Sequence, residues 1–317
     1  MTILITGGAG FIGSAVAKKL AAKGNKIIIV DNFNNYYNPQ LKKDRLKHLL
    51  EGVDFKLYSI DICDFEALKR IFTENEINII VHLAAQAGVR YSLTNPFSYS
   101  DTNFKGTLNM LELSKDFNVK KFIYASSSSV YGGNTKMPFS ETDEVNLPMS
   151  LYATTKRSTE LLAATYNHLY GIKSIGLRFF TVYGPWGRPD MAIFLFTDAI
   201  SKDQPINIHN DGKMKRNFSY IDDIVDGTVK SVEHDTECEL INLGADRTVE
   251  LEYYIQLIEE NLGKKAKRNY ISIQKGEVEE TLADLSKAKK LLNYEPAWSV
   301  EQGVKNFIDW YKWYYQK

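Results

Sequence analysis

The sequence predicts an α/β protein: a doubly wound parallel β-sheet with helices on both faces, followed by a smaller, partly helical lobe. Three observations predict it. Short, continuously apolar runs alternate with helical stretches through the first half, as expected of strands buried on both faces. A glycine-rich turn follows the first run and opens the first helix. After about residue 180 the spacing loosens, and helical segments dominate.

Ile3-Leu-Ile5 is the first strand. Gly13 to Lys23 reads as a helix with Ala15, Val16, Ala17, Leu20 and Ala21 on its apolar side. Lys26–Val30, Phe55–Tyr58, Ile79–Leu83 and Lys121–Tyr124 are further strands. Phe65–Asn75 and Asn103–Asp116 supply helices between them. A helix carrying Tyr152 ends at Gly171, and Lys173–Leu177 is the next strand.

Gly184-Pro-Trp-Gly-Arg-Pro189 interrupts regular structure. Beyond it, helical patterns cover Ala192–Ser201, Leu251–Leu262, Ser286–Leu292 and Val300–Tyr315. Tyr220–Val229 is apolar-periodic and predicted to pack back on the first lobe. The predicted division is residues 1–180, with 216–242 returning to them, and 181–317 as the second lobe. Val300, Val304, Phe307, Ile308 and Tyr311 keep helical spacing, so the aromatic C-terminus reads as a packed helix.

With 317 residues and 44% apolar content, the chain can bury a large core. Its 39 basic and 39 acidic side chains cancel, which argues against a nucleic-acid or membrane surface. No apolar run approaches the length of a membrane span and no leader is evident, so a cytoplasmic protein is expected. Cys63 and Cys238 read as buried thiols in a reducing compartment. The five histidines show no ligand spacing, and no metal is expected.

Gly7-Gly-Ala-Gly10-Phe-Ile-Gly13 lies between strand and helix. Glycines allow the backbone to approach a pyrophosphate, and a helix N-terminus presents free N–H groups. Gly7, Gly10, Phe11, Ile12 and Gly13 are therefore candidate cofactor contacts. Asp31 closes the second strand, where a carboxylate accepts hydrogen bonds from ribose hydroxyls and repels a 2′-phosphate. That favours NAD over NADP, and Asn32 adjoins it; Lys42, Lys43 and Arg45 weigh the other way. Asp61-Ile62 and Leu83-Ala-Ala-Gln-Ala87 also follow strands, where ligands bind in open parallel sheets. Asp61, Ile62, Leu83, Ala84, Ala85 and Ala87 join the candidates, although each also suits an ordinary loop.

Tyr152 and Lys156, four residues apart, share one face of a helix. An ammonium beside a phenol favours the phenolate, which makes the pair a candidate general acid/base.

Taken together, these features resemble the extended short-chain dehydrogenase/reductases with a Rossmann domain, and among them the nucleotide-sugar 4-epimerases. The motifs span almost the whole chain. They include Thr6–Gly13, His82-Leu-Ala-Ala85, Ala125-Ser-Ser-Ser-Ser-Val-Tyr-Gly132, Arg178-Phe-Phe-Thr-Val-Tyr-Gly-Pro185 and Arg216-Asn-Phe-Ser-Tyr-Ile-Asp-Asp223. The resemblance implies that Tyr152 is the acid/base and that Lys156 lowers its pKa and binds the nicotinamide ribose. It implies a catalytic hydroxyl at Ser127, a role that Ser128 or Ser129 could share. Phe179 would face the nicotinamide, and Arg216 would bind the nucleotide diphosphate.

Relatives resembling 4,6-dehydratases carry an Asp-Glu pair after the serine, and UDP-glucuronate decarboxylases carry a Glu in this run. Ser128-Ser129 stands there instead. This points to epimerisation of a UDP-sugar through a 4-keto intermediate. Ala87–Pro96, Phe180–Met191, Asp31–Tyr37 and Gly276-Glu-Val with Thr281-x-Ala-Asp284 resemble the subgroup acting on UDP-glucuronate. Glu277 departs from it, since the subgroup has Asp there. Thr181, Arg188, Arg90 and the serine run are candidates for the sugar carboxylate, and Asp284 for substrate binding. Arg188 equally suits a diphosphate contact or a loop pair, and Arg90 could anchor its own loop. UDP-glucose and UDP-N-acetylglucosamine stay open as substrates. A non-catalytic NAD sensor is the reading from another class. The resemblance also implies a homodimer through Asn103–Asp116 and Leu151–Tyr170.

Overall fold

Seven strands among the described residues form one parallel sheet that reverses direction beside its first strand. The computed structural model describes residues 1–272 and 278–316; Gly276 and Glu277 lie outside them. The chain begins with β1 (Thr2–Thr6), α1 (Phe11–Ala22), β2 (Lys26–Val30), α2 (Pro39–Leu49) and β3 (Phe55–Tyr58). There follow α3 (Phe65–Glu74), β4 (Ile79–His82) and two short helices, α4 (Tyr91–Thr94) and α5 (Pro96–Tyr99). A π-helical turn, Ser100–Lys105, leads into α6 (Gly106–Asp116), then β5 (Lys121–Ser127) and a 3₁₀ turn, Ser128–Tyr131. The predicted single helix from Asn103 is thus split: its first residues belong to the wider turn.

The 20-residue α7 (Leu151–Tyr170) starts where the Ser150 side chain accepts the Ala153 N–H at 3.1 Å. It stops at Gly171, whose φ of +69° closes the helix in the left-handed region. Beyond lie β6 (Lys173–Phe179), β7 (Thr181–Tyr183), α8 (Ala192–Ser201), β8 (Pro205–His209), β9 (Lys215–Arg216) and β10 (Phe218–Tyr220). The chain continues with α9 (Ile221–Glu233), β11 (Cys238–Leu243), β12 (Val249–Glu250), α10 (Leu251–Leu262) and β13 (Lys267–Ile271). It ends with α11 (Ser286–Leu292) and α12 (Val300–Tyr315), the latter opened by a Ser299/Gln302 capping box.

The sheet order is β11-β6-β5-β4-β1-β2-β3. Successive strands run outward from β1 one way and from β4 the other, so the switch point lies between β1 and β4. Ligands bind at the strand C-termini beside such a reversal. Ile3, Ile5, Val81, Ile123, Ile175 and Ile241 give one face of the sheet a core shared with α1, α9 and α12. Leu4, Ile28, Ile80, Phe122 and Tyr124 pack the other face against α3, α6 and α7.

One expectation fails here. Cys63 is half-buried and Cys238 is exposed, so neither is the buried thiol expected. Cys238 opens the edge strand β11, where only one side is paired.

Candidate active site

A cleft of about 400 Å³ follows the C-terminal ends of β1, β2, β4, β5 and β6. It gathers residues from widely separated segments of chain. Gly7, Gly10, Phe11, Ile12 and Gly13 line one side, with Asp31 and Asn32 at the end of β2 and Ile62 after β3. Leu83, Ala84, Ala85 and Ala87 line it after β4. Ser127, Ser128, Ser129, Tyr152, Lys156, Phe179, Thr181 and Arg188 complete the other end.

The glycine loop is shaped by lack of side chains. A Cβ on Gly13 would stand 2.2 Å from the Gly7 carbonyl oxygen, and one on Gly7 2.7 Å from the Ala84 nitrogen. Gly7 also has a φ of +68°. The Asp31 carboxylate closes this end, accepting the Ala9 N–H at 3.1 Å and the Phe33 N–H at 2.9 Å. The Lys42 ammonium lies 3.5 Å from it and donates to Asn34 at 3.1 Å. Arg45 is fully buried and donates to the Trp186 and Gly187 carbonyls at 2.9 and 3.2 Å, so its fork supports a loop. A glycine cradle at a helix N-terminus, with a carboxylate one strand away, fits the pyrophosphate and ribose of NAD.

At the far end, Tyr152 lies in the first turn of α7 and Lys156 one turn further on. The Lys156 ammonium donates to the Ala125 carbonyl at 2.8 Å. Burial pushes Lys156 down to about 8, opposed by the charge of Glu160. Tyr152 is partly open to the cleft, yet its phenol is raised by desolvation. A hydrogen bond from Ser127 and the charge of Arg188 oppose that rise. In this structure the Ser127 hydroxyl and Arg188 favour the phenolate and the Asp190 charge opposes it, whereas the Lys156 ammonium, expected from spacing to favour it, is not among the influences on Tyr152.

The serine run divides its tasks. Ser126 also lines the cleft, and its hydroxyl donates to Glu160 at 2.6 Å. Ser127 donates to the Ser129 hydroxyl at 3.1 Å and accepts the Ser129 N–H at 3.2 Å, so it caps the 3₁₀ turn while bearing on Tyr152.

Four candidates lie outside the described lining. Asp61 accepts the Asn32 amide at 2.8 Å and the Cys63 N–H at 2.8 Å, which hold its carboxyl low against the opposing effect of burial. Arg90 meets His209 of β8 at 3.2 Å. Arg216 donates to the Lys215 and Glu279 carbonyls at 3.0 and 2.9 Å. Asp284 accepts the Ser286 N–H at 2.9 Å at the start of α11. Arg188 lines the cleft but is paired with Asp190, its Nε donating at 3.0 Å and a terminal nitrogen at 2.5 Å.

Tyr36, Gln86 and Met191 also line the cleft. Tyr36 donates to Asp190 at 3.0 Å, and burial with the nearby carboxylate raises its phenol to about 12. Tyr36 and Gln86 sit inside segments singled out for their motifs, but nothing in their spacing marks them individually.

A family model described as the NAD dependent epimerase/dehydratase family matches residues 3–244. The UDP-glucuronate 4-epimerase of Thermodesulfobacterium geofontis is 49% identical over 310 residues, covering 98% of this chain and 95% of that protein. A solved structure of the Bacillus cereus UDP-glucuronic acid 4-epimerase in complex with UDP-glucuronic acid and NAD matches with a TM-score of 0.92. It is 35% identical and covers 99% of this chain and 100% of that one. The Thermotoga maritima UDP-glucose 4-epimerase with UDP-glucose matches at 33% identity and a TM-score of 0.88, over 98% and 99%.

Proposed function

The chain belongs to the NAD dependent epimerase/dehydratase family, and from that premise we propose that it interconverts UDP-glucuronate and UDP-galacturonate by epimerisation at C4. One observation carries the choice of reaction. Among the described residues lining the cleft, Asp31 is the only carboxylate, and it lies at the ribose end. The reacting end offers Ser127, Tyr152 and Lys156, and the Asp190 carboxylate whose charge reaches Tyr152 is held by Arg188 and Tyr36 rather than free to expel a hydroxyl or remove a C5 proton. Such equipment suits oxidation at C4 and its reversal.

Gly7, Gly10, Gly13 and Asp31 would hold NAD, with Lys156 at the nicotinamide ribose and Phe179 beside the ring. The chemistry supplied by bound NAD is removal of a hydride from C4 and its return to the opposite face. The Tyr152 oxygen takes the C4 hydroxyl proton and later gives it back. Ser127 holds the same sugar oxygen, and the Lys156 ammonium favours the phenolate. Residues 1–180 with 216–242 serve the cofactor in this reading, and 181–317 mainly the sugar nucleotide. Arg216 would anchor the diphosphate and keep the 4-keto sugar from leaving while it turns over. Asp284, in the same lobe, would help to hold the nucleotide.

The relatives that share most of the chain favour the uronate over UDP-glucose or UDP-N-acetylglucosamine. Thr181, Ser128, Ser129 and Arg188 would meet its carboxylate. Once C4 is a ketone, that carboxylate is β to it and prone to leave as CO₂. Hydroxyls that hold it near the ring plane oppose the loss. Arg90 would act from outside the cleft, through its loop.

We place the enzyme in the cytoplasm, a reading supported by its two free thiols. We also propose a homodimer through α6 and α7, which are joined by the Tyr166 hydroxyl to the Glu112 carboxylate. Leu161 and Leu169 on α7 stand 53% and 59% exposed, an apolar pair suited to a second copy.

The test is incubation of purified protein with UDP-glucuronate without added NAD. UDP-galacturonate as product supports both activity and retained cofactor. Faster turnover of UDP-glucose or UDP-N-acetylglucosamine would overturn the substrate, UDP-pentose as main product would overturn the carboxylate reading, and no product from any UDP-sugar would favour the sensor.

A further inference from the structure

Beneath the reacting end of the cleft lies a buried ion cluster that the proposed reaction leaves unused. Glu160 is 2% exposed and follows Lys156 by one turn on α7. Its Oε1 accepts the Ser126 hydroxyl at 2.6 Å and Arg178 Nε at 2.8 Å. Its Oε2 accepts a terminal Arg178 nitrogen at 3.0 Å and one from Arg157 at 2.8 Å. Three elements therefore meet at one carboxylate: β5 through Ser126, β6 through Arg178, and α7 itself. The sheet register sets Ser126 directly beside Arg178.

We propose that Glu160 is a positioning residue: through Ser126 and Arg178 it clamps the tip of β5, and so Ser127, against the helix that carries Tyr152 and Lys156. The inference rests on the epimerase reading and deepens it.

Two bonds tie β5 to α7 on either side of one peptide. Lys156 holds the Ala125 carbonyl, and Glu160 holds the Ser126 hydroxyl. The pleat turns the next side chain, Ser127, the other way, where it bears on Tyr152. Without the second bond the strand tip can rotate about the first, and Ser127 loses its fixed distance from the phenol. Misplacement by about 1 Å costs rate on the order of a hundredfold. The bidentate Arg178 fork restrains the carboxylate itself, and the Arg178 guanidinium also lies 4.8 Å from the centre of the Tyr131 ring. Tyr131 in turn donates to Asn242 at 2.7 Å, so the clamp continues into β11.

The cluster is also electrostatic. Facing Lys156 and Glu160 are His82 on β4, Tyr124 on β5, Arg157 on α7 and Arg178 on β6, with Tyr131 of the 3₁₀ turn against Arg178. Burial holds His82 near 3, so it is neutral at ordinary pH. Glu160 is then the anion of the group, and its charge keeps Lys156 protonated against the cost of burial.

The experiment compares Ser126→Ala and Glu160→Gln with the unaltered protein. Glu160→Gln leaves Arg178 buried without its counter-charge and can fail to fold; Ser126→Ala keeps every ion pair. For Ser126→Ala, kcat should fall about tenfold, with KM, NAD content and thermal midpoint unchanged. For folded Glu160→Gln, the falling limb of the kcat–pH profile should also move about one unit lower. A Ser126→Ala enzyme with unaltered kcat overturns the clamp, and a Glu160→Gln loss equal at every pH overturns the charge effect on Lys156. Ultraviolet titration of Tyr152, against Tyr152→Phe as blank, reads the same clamp without turnover. Its midpoint should rise in Ser126→Ala; an unmoved midpoint overturns the clamp. An unaltered protein that turns over no UDP-sugar would instead overturn the functional reading alone.

Discussion

The Tyr99 ring stands edge-on to Tyr152, with centroids 6.1 Å apart. Tyr99 is fully buried and its hydroxyl donates to the Ala87 carbonyl at 2.8 Å, so it forms a fixed wall behind the proposed acid/base. That wall touches the ring of Tyr152 and does not depend on its hydroxyl. Tyr152→Phe should therefore fold and bind NAD as before. Its kcat should fall about a thousandfold, the loss of one general acid/base. Comparing kcat with the thermal midpoint checks both halves; a midpoint that falls with the rate would assign Tyr152 a packing role.

The Lys156 ammonium, depressed to about 8, gives a pH dependence with a definite sign. It is charged below that value and neutral above, so support for the phenolate is lost as pH rises through about 8. The kcat profile should fall on that side, and the limb should vanish in Lys156→Met. Stability should respond oppositely. A lysine depressed from its ordinary ~10.4 destabilises the fold wherever it is charged. Lys156→Met should thus raise the thermal midpoint at pH 7, with the gain shrinking as pH approaches 10.

The glycine cradle can be tested against an inert glycine. In Gly13→Ala the new methyl would collide with the Gly7 carbonyl, 2.2 Å away. Gly24 has a φ of +81° and open space around it. Gly24→Ala should cost about 1 kcal/mol of backbone strain and retain NAD. Gly13→Ala should lose bound NAD, measured by cofactor released from denatured protein. Equal NAD content in the two variants would contradict the cradle.

Much of this architecture was legible because it is local. The strands from β1 to β6 are continuous apolar runs, and α8, α10, α11 and α12 begin and end where apolar spacing does. Elements that depend on distant partners were not. The polar α2 has little apolar periodicity, and its order comes from Arg45 reaching the Trp186 carbonyl. β11 joins the sheet beside β6 from beyond residue 237, a pairing that no local pattern announces. The site behaves likewise. Ser127, Tyr152 and Lys156 follow from motif and helix spacing, whereas the Asp190 pairing of Arg188 and the His209 contact of Arg90 are tertiary choices. Nothing in the serine run itself sets Ser126 apart; its distinction is the Glu160 carboxylate that α7 brings to it.

The proposed dimer makes a separate prediction. Leu161 and Leu169 lie eight residues apart on α7 and more than half exposed. Such spacing puts them on one side of the helix. Leu161→Glu with Leu169→Glu should give a monomer by light scattering while leaving far-ultraviolet dichroism unchanged. A variant with the unaltered mass would place any interface elsewhere.

Cofactor choice turns on a pair rather than on one residue. Asp31 repels a 2′-phosphate, but Lys42 stands 3.5 Å from its carboxylate, and both are buried. Arg45, the other nearby cation, is committed to the Trp186 and Gly187 carbonyls. The unaltered protein should bind NAD about a hundredfold more tightly than NADP, a difference of ~2.7 kcal/mol. The Ala9 and Phe33 N–H groups meet different oxygens of Asp31, so Asp31→Asn keeps an acceptor for one of them and frees the Lys42 charge for a phosphate. The preference should then shrink to within about tenfold. Asp31→Asn with Lys42→Met should lose the new NADP affinity while keeping neutral amide contacts, because phosphate attraction then has no cation behind it. Calorimetric titration of these three proteins and of Lys42→Met alone gives the coupling between the two side chains directly. If Asp31→Asn and the double variant bind NADP equally, Lys42 serves only to order the Asn34 turn, and Asp31 sets the preference alone.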